Sequence, residues 1–170
     1  GYGYAAYYQS YTNTYAPVEY LRTLFTETIR QPDIDALFIG TRPDCLPVPV
    51  LQLLKELSAE KPVYVELGLQ TAKPESALYI NRCYDNSVFE QAVLALNNIG
   101  IPVIVHCILG LPYETTEDMK HTIDYICRLP VHGIKLQLLH ILKGTGLAAD
   151  FEGFLQNHAF SCLEREQYFA

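Results

Sequence analysis

Apolar runs of strand length recur at residues 4–9, 36–40, 63–70, 103–109 and 134–141, and the stretches between them space their apolar residues as helices do. The first helix opens after Pro17 and carries Val18, Leu21, Leu24, Phe25 and Ile29 on one side. A second follows Pro47 and Pro49 with Val50, Leu51, Leu53, Leu54 and Leu57, and a third follows Asn86 and Ser87 with Val88, Phe89, Val93, Leu94 and Leu96. Gly100 and Pro102 stop the third. Thr115, Thr116, Glu117 and Asp118 open a fourth, with a cap and early acids suited to the positive end of a helix dipole, and it ends near Pro130. A helix between two strands returns the chain to the same end of the sheet, so this alternation demands parallel strands with right-handed crossovers. The pattern predicts an α/β fold on an open or closed barrel-like sheet.

Side chains alternate across a sheet, so Glu66, Gly68 and Gln70 share one face while Val65, Leu67 and Leu69 share the other and pack on the helices. By the same parity Ile104, His106 and Ile108 join the first set, as do Lys135 and Gln137 if Ile134, Leu136 and Leu138 pack outward. The inner face is therefore polar on three successive strands. Buried charges are costly unless paired, so Glu66 and Lys135 are expected to approach one another or a bound polar ligand. His106 stands four positions before Gly110, where an apolar strand runs into a Gly-Leu-Pro turn and an acidic helix start. Such strand ends are where α/β proteins place binding sites, which makes His106 a candidate ligand contact.

At 170 residues, 49% hydrophobic and 18% charged, the chain has the length of one well-buried domain, expected to span residues 1–170. The formal charge of −7 has no basic run to offset it, so the segment gives no support for a nucleic-acid partner. No apolar stretch approaches the roughly 20 residues that span a bilayer, and the start lacks signal-peptide features, so no membrane partner and a cytoplasmic location are expected. The five cysteines are widely spread without a CxxC pair and read as small, reduced, mostly buried side chains. Thirteen tyrosines accompany no tryptophan, and Tyr2, Tyr4, Tyr7, Tyr8, Tyr11 and Tyr15 crowd the start, where they line a pocket or cover a sheet edge.

The strings YTNTYAP (11–17), IGTRPDCLP (39–47), VELGLQT (65–71), INR (80–82), ILGLPYET (108–115) and GIKLQLLHILKGT (133–145) resemble, in order, the bacterial YhcC-like radical S-adenosylmethionine (SAM) proteins. These are relatives of elongator-type and coproporphyrinogen-oxidase-type radical enzymes. The resemblance implies a partial (β/α) TIM-like barrel. In it a [4Fe-4S] cluster, fed by an external electron donor, reduces SAM to release a 5′-deoxyadenosyl radical that abstracts hydrogen from an unidentified substrate. The cofactors carry the difficult chemistry. The family's CxxxCxxC cluster loop has no counterpart here. The strand near Tyr4 matches the family's second, so strands 2 to 6 are expected, in a fragment that is inert alone.

Carried over by position, Gln70 and Arg82 match residues that contact the amino-acid and ribose portions of SAM, an arginine fork suiting a carboxylate. His106 falls where relatives have a SAM-contacting aspartate, Ile108 and Gly110 lie in the turn near adenine, and Glu66 stands on the same inner face. Gly40 replaces a ribose-binding glutamate, so Thr41 or Arg42 is expected to substitute. Cys83 and Tyr84 stand where the family tends to have Gly-His, and Gly146 where it tends to have proline.

Two other functions compete with this reading. One is a non-redox α/β module that binds a nucleotide or phosphorylated metabolite through Glu66, His106 and His140 around a metal. His140 has the wrong parity for the inner face, and no HxH or HExxH spacing occurs. The other is an RNA-recognition or scaffold domain, against which the negative charge balance argues.

Overall fold

The structure is a computed structural model and describes residues 3–157, 162–164, 166 and 168. Strands and helices alternate in the order β1 (Tyr4–Tyr8), α1 (Val18–Ile29), β2 (Ile34–Thr41), α2 (Val48–Ser58), β3 (Val63–Gln70), α3 (Pro74–Tyr79), α4 (Asn86–Asn98), β4 (Val103–Leu109), α5 (Thr116–Cys127), β5 (Gly133–Leu138) and α6 (Gly146–Asn157). A short 3-10 helix, Pro43–Cys45, links β2 to α2. The five strands form one sheet in sequence order, every neighbour parallel, as the βα alternation requires.

The core fills the space between sheet and helices. Phe25, Leu53, Leu54, Phe89, Val93 and Leu96 from the helices meet Leu37, Ile39, Val65, Leu67, Leu69, Val103 and Val105 from the strands, and all are fully buried. Val65, Leu67 and Leu69 thus occupy the helix-facing side that alternation assigns them.

The other face is concave. Five strands about 4.8 Å apart would separate the edges of a flat sheet by roughly 19 Å. Yet Lys135 on edge strand β5 donates to the hydroxyl of Tyr7 on edge strand β1 at 2.8 Å. The sheet therefore curls into a half-barrel whose hollow side carries the polar residues.

Several elements differ from the sequence pattern, β1 ending at Tyr8 and β2 running from Ile34 to Thr41. Strand β5 ends at Leu138 rather than 141, because its partner β4 ends at Leu109 and turns away at Gly110, with φ +79. Helix α3 buries only Ser76 and Ala77, so no apolar stripe announces it. Helix α6 was likewise not evident from periodicity.

At the start of α5 the expected cap is present. The Thr115 hydroxyl accepts from Asp118 N, Asp118 accepts from Thr115 N, and Lys73 pairs with Asp118 at 3.0 Å. Thr115→Ala should lower the unfolding free energy by about 1 kcal/mol in urea titration, the usual worth of a cap.

Candidate functional site

Four polar side chains from four strands converge inside the hollow. The Tyr7 hydroxyl donates to Glu66 Oε2 at 2.5 Å, and His106 Nε2 lies 2.5 Å from the same oxygen. Lys135 Nζ donates to Tyr7 Oη at 2.8 Å and to Glu66 Oε2 at 3.5 Å. The register makes this possible, since His106 on β4 stands level with Gly68 on β3 and Lys135 on β5. Burial pushes the Glu66 carboxyl up, but hydrogen bonds from Tyr7 and His106 outweigh it and hold the group below its ordinary value. Burial pushes Lys135 down, but its bond to Tyr7 and the charge of Glu66 outweigh that and hold it above. Burial and the bond to Glu66 raise the Tyr7 phenol. The cluster at neutral pH is thus a fixed carboxylate–ammonium pair. Glu66 is therefore not a base poised near neutrality, and Lys135 is not a nucleophilic amine.

A second group lies at the C-terminal end of β3. Gln70 takes φ +67, and the ladder slips between Gly68 and Gln70, so that Gln70 pairs with Cys107. Regular pleating does not bring Gln70 to the inner side; this left-handed residue does. Its amide folds over Gly68, where a Cβ on residue 68 would stand 2.8 Å from Gln70 Nε2. Gln70 Oε1 is buried and has no hydrogen-bond partner. A buried acceptor left open costs roughly 1–3 kcal/mol.

Arg82, 6% exposed, sits in a tight loop between Asn81 at φ +53 and Cys83 at φ +64. Glycine is at ease in that left-handed region, which gives a physical reason for the glycine the family tends to carry at position 83. All three guanidinium nitrogens hydrogen-bond to the protein. Nη1 donates to Leu69 O at 3.2 Å and Thr71 O at 2.8 Å, Nε to Tyr84 O at 2.9 Å, and Nη2 to Asn86 Oδ1 at 2.9 Å. Two of these acceptors bracket Gln70. Burial lowers the Arg82 pKa, and none of its hydrogen-bond partners is a carboxylate.

Tyr84 joins this group to the next strand. Its ring lies 4.9 Å from the Arg82 guanidinium and 5.0 Å from that of Arg42, and its hydroxyl donates to Gly68 O at 2.6 Å. Burial pushes Tyr84 up to about 12. Arg42 also forks onto Asp44 at 2.9 and 2.7 Å. At Gly40 a side chain would press on the Tyr8 and Gln9 carbonyls at 3.2 and 3.4 Å, so backbone occupies that spot. Ile108 lies on β4 beside Gln137, and Gly110 closes the strand where a Cβ would meet Leu163 Cγ at 2.9 Å.

The structure therefore unites Glu66, His106 and Lys135, and separately Gln70, Arg82 and, through Tyr84, Arg42. His140 lies beyond β5 and is exposed, away from the Glu66–His106 pair. Among the described residues no group of His, Cys, Asp and Glu is placed to hold a metal ion. Sequence reasoning missed Tyr7 and Tyr84. The parity of β1, with Ala6 and Tyr8 packed on the core, was the available signal for Tyr7.

The Radical SAM superfamily model matches residues 7–126. This chain belongs to the radical SAM superfamily. It is 44% identical over 149 residues to the uncharacterized protein YtqA of Bacillus subtilis (strain 168), covering 88% of this chain and 46% of that protein. It is 39% identical over 150 residues to protein YhcC of Escherichia coli (strain K12), covering 88% and 48%. The chain thus spans about half the length of these relatives. In fold it is similar to the archaeal Methanocaldococcus infernus Elp3 with an N-terminal deletion, at a TM-score of 0.76 and 18% identity over 96% of this chain and 42% of that one. The five-strand half-barrel is the partial TIM-like barrel of the superfamily. No helix among the described residues is long and apolar enough to cross a membrane.

Proposed function

We propose that these residues form the SAM-binding core of an enzyme that uses SAM and a [4Fe-4S] cluster for radical chemistry, with Gln70 as the central SAM contact. When bound, SAM and the cluster supply one-electron cleavage to a 5′-deoxyadenosyl radical that abstracts hydrogen from a substrate, the electron coming from an external donor. The observation that carries the reading is Gln70 Oε1, a buried acceptor with no partner at the end of β3, on the amide whose nitrogen lies over Gly68. A hydroxyl or ammonium of SAM is the donor that would satisfy it.

The remaining residues fit as a surround. Arg82 holds the carbonyls on both sides of Gln70 and so positions it, and its buried charge favours an anionic group nearby. Arg42 stands against the same Tyr84 ring with its charge paired by Asp44. Glu66 and His106 lie deeper, while Ile108 and Gly110 shape the edge of β4. The described cysteines stand on separate elements and supply no clustered thiolates, so cluster ligation is assigned to no residue of this chain.

The test is SAM titration of the cluster-loaded full-length protein, with binding and cleavage to 5′-deoxyadenosine read separately. Gln70→Ala should bind SAM about tenfold more weakly, the worth of one hydrogen bond to a buried or charged group. A variant that binds and cleaves SAM like the parent would reject Gln70 as the contact.

A further inference from the structure

The four groups inside the hollow are unequally covered. The side chain of Glu66 is 7% exposed, that of His106 16% and that of Lys135 35%. Negative charge lies underneath and positive charge faces the open interior. Glu66 Oε2 receives all three protein donors, whereas the Lys135 ammonium has three N–H bonds and two partners. An ammonium accepts nothing, so its free direction calls for an acceptor. Beside the cluster the Phe38 and Tyr64 rings stack at 4.5 Å and Tyr7 meets Phe38 edge-on at 6.3 Å, an apolar aromatic floor next to the charge contact.

We propose that Lys135, held by Tyr7 and Glu66 with His106 alongside, anchors a carboxylate of the substrate inside the half-barrel. Charge bookkeeping selects the class. The ammonium of Lys135 already balances Glu66, so a singly charged carboxylate adds less unpaired negative charge to the hollow than a phosphate dianion would. The word substrate rests on the radical SAM reading, but the anchor is testable without cofactor.

The experiment is an NMR titration of the full-length protein without its cofactors, with its His and Tyr rings labelled, at constant ionic strength. Sodium propionate, propionamide and inorganic phosphate are the probes. Propionate should shift the His106 and Tyr7 ring signals saturably, propionamide should not, and phosphate should bind more weakly. Lys135→Met should weaken propionate about tenfold or more, and Lys135→Arg should retain it. The anchor is overturned if propionate gives no saturable shift, if propionamide acts equally, or if Lys135→Met binds like the parent. Tighter phosphate binding overturns the carboxylate assignment. Should the Met variant fail to fold, the amide probe on the parent still decides. SAM titrated into the cluster-loaded full-length protein separates the two readings. SAM binding without propionate binding removes only the anchor, and the reverse removes only the SAM reading.

Discussion

Arg82→Ala is expected to lower the unfolding free energy by roughly 3 kcal/mol and to weaken SAM binding about tenfold while Gln70 is still present. The stability loss follows from four hydrogen bonds of a buried guanidinium, whose removal takes a donor from the carbonyls of Leu69, Thr71 and Tyr84 and from Asn86 Oδ1. The binding loss follows from Gln70, which takes φ +67 between two of those carbonyls, where the Arg82 guanidinium and the Thr71 N–H bond to Leu69 O at 2.8 Å together clamp its flanks. Left-handed backbone is unfavourable for a residue other than glycine and persists only when its surroundings impose it. A double-mutant cycle distinguishes positioning from direct contact. If Arg82 acts through Gln70, adding Arg82→Ala to Gln70→Ala should cost no further SAM affinity. Full additivity would instead place the guanidinium on SAM itself.

The strands and their order were legible because parallel βα units write apolar runs and helical spacing alternately, and β3 and β4 end where the pattern ends. The inner face was legible on β3, β4 and β5, since alternation places Glu66, His106 and Lys135 together, and the structure closes them into one hydrogen-bonded cluster. Tyr7 was not, because six tyrosines near the start are interchangeable until β1 is paired with β2 and the sheet curls β1 toward β5. The direction of the Arg82 fork was also hidden. A sequence shows that a guanidinium is present but not that two left-handed residues, Asn81 and Cys83, turn it inward onto backbone carbonyls. Gln70 reached the inner side by a slip in the ladder, an outcome that simple period-two counting reproduces for a different geometric reason.

Leu67→Ala should be the most costly substitution outside the site, at about 3 kcal/mol within the 2–5 kcal/mol typical of buried leucine truncation. Leu67 is fully buried, level with Thr41 on β2 and Val105 on β4, so the gap would open in the middle of the sheet beneath the helices, where neighbours fixed on both sides cannot collapse into it. Leu136 provides the matched control. Its side chain has the same outward parity, but it stands on the edge strand β5 and is 47% exposed, so Leu136→Ala should change stability by less than about 0.5 kcal/mol. Urea denaturation of both variants, compared at equal slope, checks the pair. Equal losses would mean that the helix layer continues over β5 and that the core is not confined to the inner three strands. A large loss at Leu67 alone shows that the barrel wall holding Glu66 and Gln70 on β3 takes its rigidity from the apolar residues that alternate with them, at positions 65, 67 and 69.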